Sequence, residues 1–150
     1  MSSHYEKKLR MIRLSENLSQ SAFAKLTGLN IGTIKNYELG KRGVGLGVIE
    51  QILKIKDFKK YTLWLMIGET NEKAGQVAPK EFIKLQNRMA NTFKILGMSA
   101  EDVEEQIINY IKDIPSNDDD IKEDLIFMFE CYKDTLIKLL KNNLDDNKKD

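Results

Sequence analysis

The side chains that most often carry catalysis or hold metals are few in this chain of 150 residues, and they lie far apart. His4 is the only histidine and lies near the N-terminus, so no histidine-based catalytic arrangement and no zinc site is expected. Glycines within residues 43–47 suggest a phosphate-binding loop, but no strand precedes them and no Gly-Lys-Ser/Thr follows. The acidic residues in 101–105 and 118–120 fit an exposed helix face and a helix start better than a metal site. The sequence therefore predicts a protein that is not an enzyme and needs no cofactor or metal.

Positive charge is concentrated in the first half of the chain. Residues 1–70 carry a balance of +6 and residues 71–150 a balance of −5, which the overall value of +1 conceals. A polyanion is the natural partner of a basic surface. The asymmetry therefore predicts a polyanion for the first half and a different partner for the second, with a chance difference between solvated faces as the alternative.

The sequence also bears on the cellular compartment. Cys131 is the only cysteine, so no disulfide can form within the chain, and no signal-like apolar segment follows Met1. The longest candidate for an apolar run, Tyr61 to Ile67, is too short to span a bilayer. We therefore expect a soluble protein in a reducing cytoplasm.

Apolar residues recur at helical spacing almost throughout, and no stretch alternates as a strand would, so the fold class is predicted to be all-α. Ser19 and Asn30 are suited to cap helix starts, and Gly28 and Gly40 to end helices. The predicted helices are Tyr5–Leu14, Gln20–Thr27, Ile31–Glu38, about Val48–Ile55, about Phe58–Ile67, Pro79–Leu96, Ser99 to about Asp113, and about Asp119–Asn143.

Composition suggests three parts. Residues 1–70 form a five-helix domain, residues 71–79 a polar connector, and residues 80–150 a helical region for oligomerisation or partner binding. In the last predicted helix, apolar residues from Ile121 to Leu140 follow each other at spacings of three and four, and such a stripe needs a partner surface.

Residues 19–42 show the requirements of a helix-turn-helix unit: two short helices joined by a turn that contains glycine. Ala24 is small where the helix axes cross closely, and Gly28 permits a left-handed backbone at the turn. The residues expected to form the shared core are Phe23, Leu29, Ile34 and Tyr37.

With these residues, the chain resembles the helix-turn-helix family of lambdoid phage repressors, Cro proteins and xenobiotic-response-element-type (XRE) bacterial transcriptional regulators. The resemblance rests on the Ser-Gln opening, the Phe-Ala pair, the turn glycine and the ending Tyr-Glu-Leu-Gly-Lys-Arg. It covers roughly residues 5–67, and it implies a repressor-like fold and a double-stranded DNA operator as partner.

The resemblance also assigns DNA contacts. Gln20 matches a position that holds a phosphate at the positive end of its helix, and residues 31–38 match the recognition helix. Asn36 would bond an adenine, Lys35 a guanine or a phosphate, and Ile31 a thymine methyl group. The full set of predicted DNA-binding residues is Gln20, Ile31, Gly32, Thr33, Lys35, Asn36, Lys41 and Arg42.

Two features qualify this assignment. Ile31 and Gly32 stand where the family usually has polar side chains, so direct base readout is expected to be sparse, with more weight on DNA shape and dimer spacing. Arg13 and Glu38 match a buried ion pair of phage repressors, and we interpret them as structural.

The predicted function is a sequence-specific DNA-binding regulator, a phage-type or prophage-type repressor that acts as a homodimer. Self-cleaving phage repressors carry a β-rich peptidase domain, which this short helical tail does not resemble. The alternative is an antitoxin-like protein whose acidic tail binds a partner protein. The stripe could also pack only on its own chain. Candidate dimerisation residues are Leu125, Met128, Phe129, Tyr132, Leu136 and Leu139.

Overall fold

The computed structural model describes residues 4–95 continuously and, beyond them, only residues 97, 105, 108, 109, 112, 113, 126 and 127. The chain divides into two compact units, Met1–Ile83 and Lys84–Asp150. Over these described residues the structure is helical, and its only β pairing is an isolated antiparallel bridge between Asn71 and Gln76. The predicted all-α fold class is confirmed.

Residues 4–95 contain six α-helices and two short 3₁₀ helices. The second and third α-helices have the predicted bounds, the first and sixth differ by a residue at one or both ends, and the fourth and fifth differ more. The α-helices are α1 Tyr5–Ser15, α2 Gln20–Thr27, α3 Ile31–Glu38, α4 Leu46–Leu53, α5 Thr62–Ile67 and α6 Lys80–Ile95, and the 3₁₀ helices are Lys56–Tyr61 and Glu72–Ala74.

The predicted caps explain why α2 and α3 begin and end where they do. The Ser19 hydroxyl accepts a hydrogen bond from the Ala22 N–H at 3.0 Å, and Asn30 Oδ1 accepts one from the Gly32 N–H at 2.7 Å. Gly28 has a φ of 75° and donates its N–H to the Ala24 carbonyl oxygen. These contacts give hydrogen-bond partners to backbone groups that have none within the helix at its ends.

Two of the predicted helices have the wrong bounds. Helix α4 begins and ends two residues earlier than predicted, because the extended residue Gly45 serves as its N-cap. The single helix predicted from Phe58 to Ile67 is instead a 3₁₀ helix followed by α5. Because side chains three residues apart are eclipsed in a 3₁₀ helix, Phe58 and Tyr61 both face the interior and both are buried.

The core of the first unit joins the helix-turn-helix to the helices that follow it. The Phe23 and Phe58 ring centroids lie 5.6 Å apart, and Ile34 and Trp64 are also buried. Leu29, predicted in the shared core, is only half-buried. Residues that are almost fully buried in the first unit include Ile12, Ile49, Ile52 and Leu65.

Polar side chains connect the turn between α1 and α2 to the 3₁₀ helix Lys56–Tyr61. Glu16 Oε1 accepts a hydrogen bond from the Tyr61 hydroxyl at 2.5 Å and lies 2.7 Å from Lys60 Nζ. Burial alone raises the pKa of Glu16, but the hydrogen bonds from Lys60 and Tyr61 outweigh it and lower that pKa. Burial and the neighbouring carboxylate raise the pKa of Tyr61. The carboxylate is therefore charged at neutral pH while the phenol keeps its proton.

The segment after α5 is held against the same unit. Gln76 accepts a hydrogen bond from the Leu63 N–H through Oε1 and donates one to the Lys59 carbonyl oxygen through Nε2. The Val77 N–H donates to the Lys60 carbonyl oxygen at 2.8 Å. One glutamine side chain and one backbone hydrogen bond therefore hold this stretch to the segment 59–63.

Most of the two helices expected after residue 98 lies outside the described residues, and the few residues described within them are helical: 105, 108, 109, 112, 113, 126 and 127. Cys131 and all six candidate dimerisation residues also lie outside the described residues. Within the described part of the chain, no helix has both the length and the apolar character needed to cross a bilayer.

Candidate nucleic-acid interface

The turn between α2 and α3 is braced by side chains from both sides. The Thr27 hydroxyl donates to the Phe23 carbonyl oxygen at 2.7 Å, which closes the last turn of α2. Gln51 of α4 donates from Nε2 to the Thr27 carbonyl oxygen at 2.7 Å, a group that the helix end leaves without an intrahelical partner. The turn is thus tied to α4 as well as capped by Gly28.

Helix α3 has one buried face and one exposed face. Ile34 and Tyr37 are 2% and 4% exposed, whereas Lys35 and Asn36 are exposed and Ile31 is 39% exposed. Of the other predicted contact residues in this helix, Gly32 and Thr33 are half-buried.

Two cations follow α3 on an exposed turn. Lys41 and Arg42 are both exposed, and the Lys41 N–H donates to the Asn36 carbonyl oxygen at 2.9 Å. Gly40 has a φ of 69°, so the chain leaves α3 through a left-handed residue. The Arg42 guanidinium carbon lies 5.9 Å from the centre of the Tyr37 ring, within the range of a cation–π contact. Both cations therefore lie at the C-terminal end of α3.

A network of polar side chains connects α1, α2 and α3. Arg13 Nε lies 2.6 Å from Glu38 Oε1 and Arg13 Nη2 lies 3.0 Å from Oε2, with side chains only 10% and 11% exposed. Arg13 Nη1 also donates to the Leu18 carbonyl oxygen at 2.9 Å. The predicted buried ion pair is confirmed. Its geometry is bidentate, which is the stronger arrangement of an arginine with a carboxylate.

Gln20, at the first position of α2, is part of the same network. Its Nε2 atom donates to Glu38 Oε2 at 2.6 Å, and the side chain is half-buried. The sequence placed Gln20 only against a phosphate, so this bond to the third helix is a finding of the structure. No local sequence pattern predicts the bond between Gln20 and Glu38, because the two residues are 18 positions apart.

Comparison with known proteins agrees with this geometry. A family model described as helix-turn-helix matches residues 9–55, which include α2, α3 and α4. Repressor protein C of Escherichia phage P2 is 39% identical over 79 residues, which cover 53% of this chain and 80% of that protein. The chain belongs to the helix-turn-helix repressor family.

Membership of the helix-turn-helix repressor family means that the chain is a DNA-binding regulator with double-stranded DNA as its partner, and such regulators are generally not enzymes. Helix α3 corresponds to the recognition helix, the element that enters the major groove in this family. The family resemblance predicted from the Ser-Gln opening, the turn glycine and the ending Tyr-Glu-Leu-Gly-Lys-Arg is confirmed.

Gly32 lies beside the residue that caps the start of α3. A Cβ atom at Gly32 would lie 3.0 Å from Asn30 Oδ1, the oxygen that caps the helix. A side chain there would therefore crowd the cap that fixes the start of α3.

Proposed function

We propose that this protein is a transcriptional repressor that occupies an operator as a homodimer, with α3 of each subunit in the major groove. The observation that carries the proposal is the exposed face of α3, which combines Ile31, Lys35 and Asn36 and is followed by two exposed cations. The similarity to a phage protein named as a repressor supports repression rather than activation.

The proposed contacts divide between bases and phosphates. Asn36 is suited to an adenine edge, Lys35 to a guanine or a phosphate, and Ile31 to a thymine methyl group, each discriminating by about 1–3 kcal/mol at most. Gly32 allows the backbone to approach the groove. Phosphate contacts are proposed for Gln20, Thr33, Lys41 and Arg42.

Operator binding as a dimer follows from the small size of the reading surface. One helix-turn-helix unit reads only a few base pairs, so a specific site normally joins two half-sites about one helical turn apart. The proposed dimer contact is the apolar stripe in residues 121–140. Residues 71–150 carry a balance of −5, which suits a protein partner better than DNA.

The first prediction concerns base readout. Replacing Asn36 with alanine should relax the preference at one base pair of each half-site, by about 1–3 kcal/mol, while leaving the other positions unchanged. Selection of bound fragments from random DNA, followed by sequencing, measures this preference position by position.

Asn87→Ala is the matched control, because Asn87 is an exposed asparagine on α6. An Asn36→Ala profile that coincides with that of the control would show that Asn36 reads no base and that the proposed register of α3 is wrong.

The second prediction concerns the dimer. Replacing Leu136 and Leu139 together with lysine should give monomers that keep their fold, because charge on the apolar stripe opposes burial against a second copy. Sedimentation measures the mass and circular dichroism the helix content. Changing Asn142 and Asn143 to lysine adds the same charge outside the stripe and should leave the dimer intact. A dimer that survives the leucine changes would place the interface elsewhere.

The acidic second half also favours a second candidate function, in which an antitoxin-like protein binds DNA with residues 1–70 and a partner protein with its acidic C-terminal tail. Recovery of a second protein in stoichiometric amount on purification from the natural host would support this candidate. Recovery of a homodimer alone would support the repressor.

A further inference from the structure

The Glu38 carboxylate is a junction of three N–H donors. Its Oε1 accepts from Arg13 Nε at 2.6 Å, and its Oε2 accepts from Arg13 Nη2 at 3.0 Å and from Gln20 Nε2 at 2.6 Å. Glu38 is the last residue of the recognition helix and Gln20 the first residue of α2. The carboxylate therefore joins the residue proposed to hold a phosphate to the helix that reads bases.

This bond determines which way the Gln20 amide faces. A carboxylate only accepts hydrogen bonds, so the amide must turn its Nε2 atom, and not Oε1, towards Glu38. One Nε2–H is used in that bond, and the second has no partner within the described part of the chain. A phosphate oxygen also only accepts, so the second Nε2–H is the side-chain group of Gln20 that is able to bind DNA.

We propose that Glu38 is a positioning residue for the phosphate contact of Gln20, holding the amide in its binding orientation before DNA arrives. The inference rests on the proposed DNA contact of Gln20. A glutamine side chain that is free to rotate loses conformational entropy when it binds. With the side chain already held, affinity should be higher by about twofold to tenfold per subunit.

The test compares four forms of the full chain: wild type, Gln20→Ala, the pair Arg13→Met with Glu38→Leu, and the combination of all three changes. Replacing both charged partners by apolar residues avoids leaving one buried charge alone. Each form is titrated with a duplex selected from random DNA and with a scrambled duplex of equal length, over a series of salt concentrations.

The expected result has three parts. Gln20→Ala and the paired change each weaken binding of both duplexes by a similar factor, because a phosphate contact carries no sequence information. The dependence of affinity on salt stays unchanged, because glutamine is neutral and releases no counterion. The Gln20→Ala effect is about twofold to tenfold smaller in the paired background than in wild type.

Purely additive effects would overturn the inference, and so would a changed base preference in the paired variant, which would mean that Glu38 acts through the tilt of α3. If wild type binds neither duplex, the proposed function fails instead, so the two failures are distinguishable. A second measurement needs no variant to fold: nuclear magnetic relaxation of the Gln20 side-chain amide in the DNA-free protein. We expect a rigid amide, and a freely rotating one would overturn the inference.

Discussion

Replacing Glu38 with alanine is expected to lower the free energy of unfolding by about 3–5 kcal/mol, because it leaves the Arg13 guanidinium buried without its carboxylate. Both side chains are about nine-tenths buried, so water cannot replace the lost partner without rearrangement. Gln20 also loses its acceptor. Urea unfolding followed by the fluorescence of Trp64, the only tryptophan and a buried one, measures the change.

The matched control removes both charges at once. Arg13→Met with Glu38→Leu keeps much of the buried volume and leaves no isolated ion, although the Leu18 carbonyl oxygen and the Gln20 amide each lose a partner. Its stability should therefore lie much closer to that of wild type than the stability of the single variant does. Equal destabilisation in the single and the paired variant would show that packing around the two side chains, and not the isolated charge, produces the loss.

The second large effect is expected on DNA binding at the turn after the recognition helix. Replacing Lys41 and Arg42 together with alanine removes two cations from each subunit, and hence four from a dimer on DNA. Because each lost phosphate contact reduces the salt slope by about 0.9, the loss of affinity between about 50 and 200 mM salt should become about a hundredfold smaller. Fluorescence anisotropy with a labelled duplex at several salt concentrations measures the slope.

Lys56→Ala with Lys59→Ala is the control for this experiment, because both lysines are exposed on the 3₁₀ helix and their loss removes the same charge. If that pair changes the slope as much as the Lys41 and Arg42 pair does, the general charge of the unit binds DNA and no specific turn is involved. A slope reduced by about two and not four would indicate a single subunit on the DNA.

The helix-turn-helix itself was predictable because its boundaries depend on short-range contacts. Ser19 caps α2 through a group three residues away, and Asn30 caps α3 through one two residues away. Gly28 ends α2 through its own backbone conformation. Such signals are complete within a few residues of sequence, so the bounds of α2 and α3 could be read without any knowledge of the tertiary structure.

The segment after α4 was predicted less well for the opposite reason. Phe58 and Tyr61 have the spacing of a helix face, and this spacing does not distinguish a 3₁₀ helix from an α-helix. The choice is made by packing, since Phe58 meets Phe23 from a distant part of the chain and Tyr61 reaches Glu16. The bond from Gln51 to the Thr27 carbonyl oxygen likewise depends on where α4 lies.

The sequence by itself therefore determined the family, the all-α class, the exposed face of α3 and the ion pair of Arg13 with Glu38. Only the tertiary structure decided that Gln20 is bonded to Glu38 and that Gln51 braces the turn. The physical reason is the distance along the chain over which each interaction acts. Caps and periodic burial act over two to four residues, whereas a polar side chain chooses its partner from whatever the packed helices bring within about 3 Å.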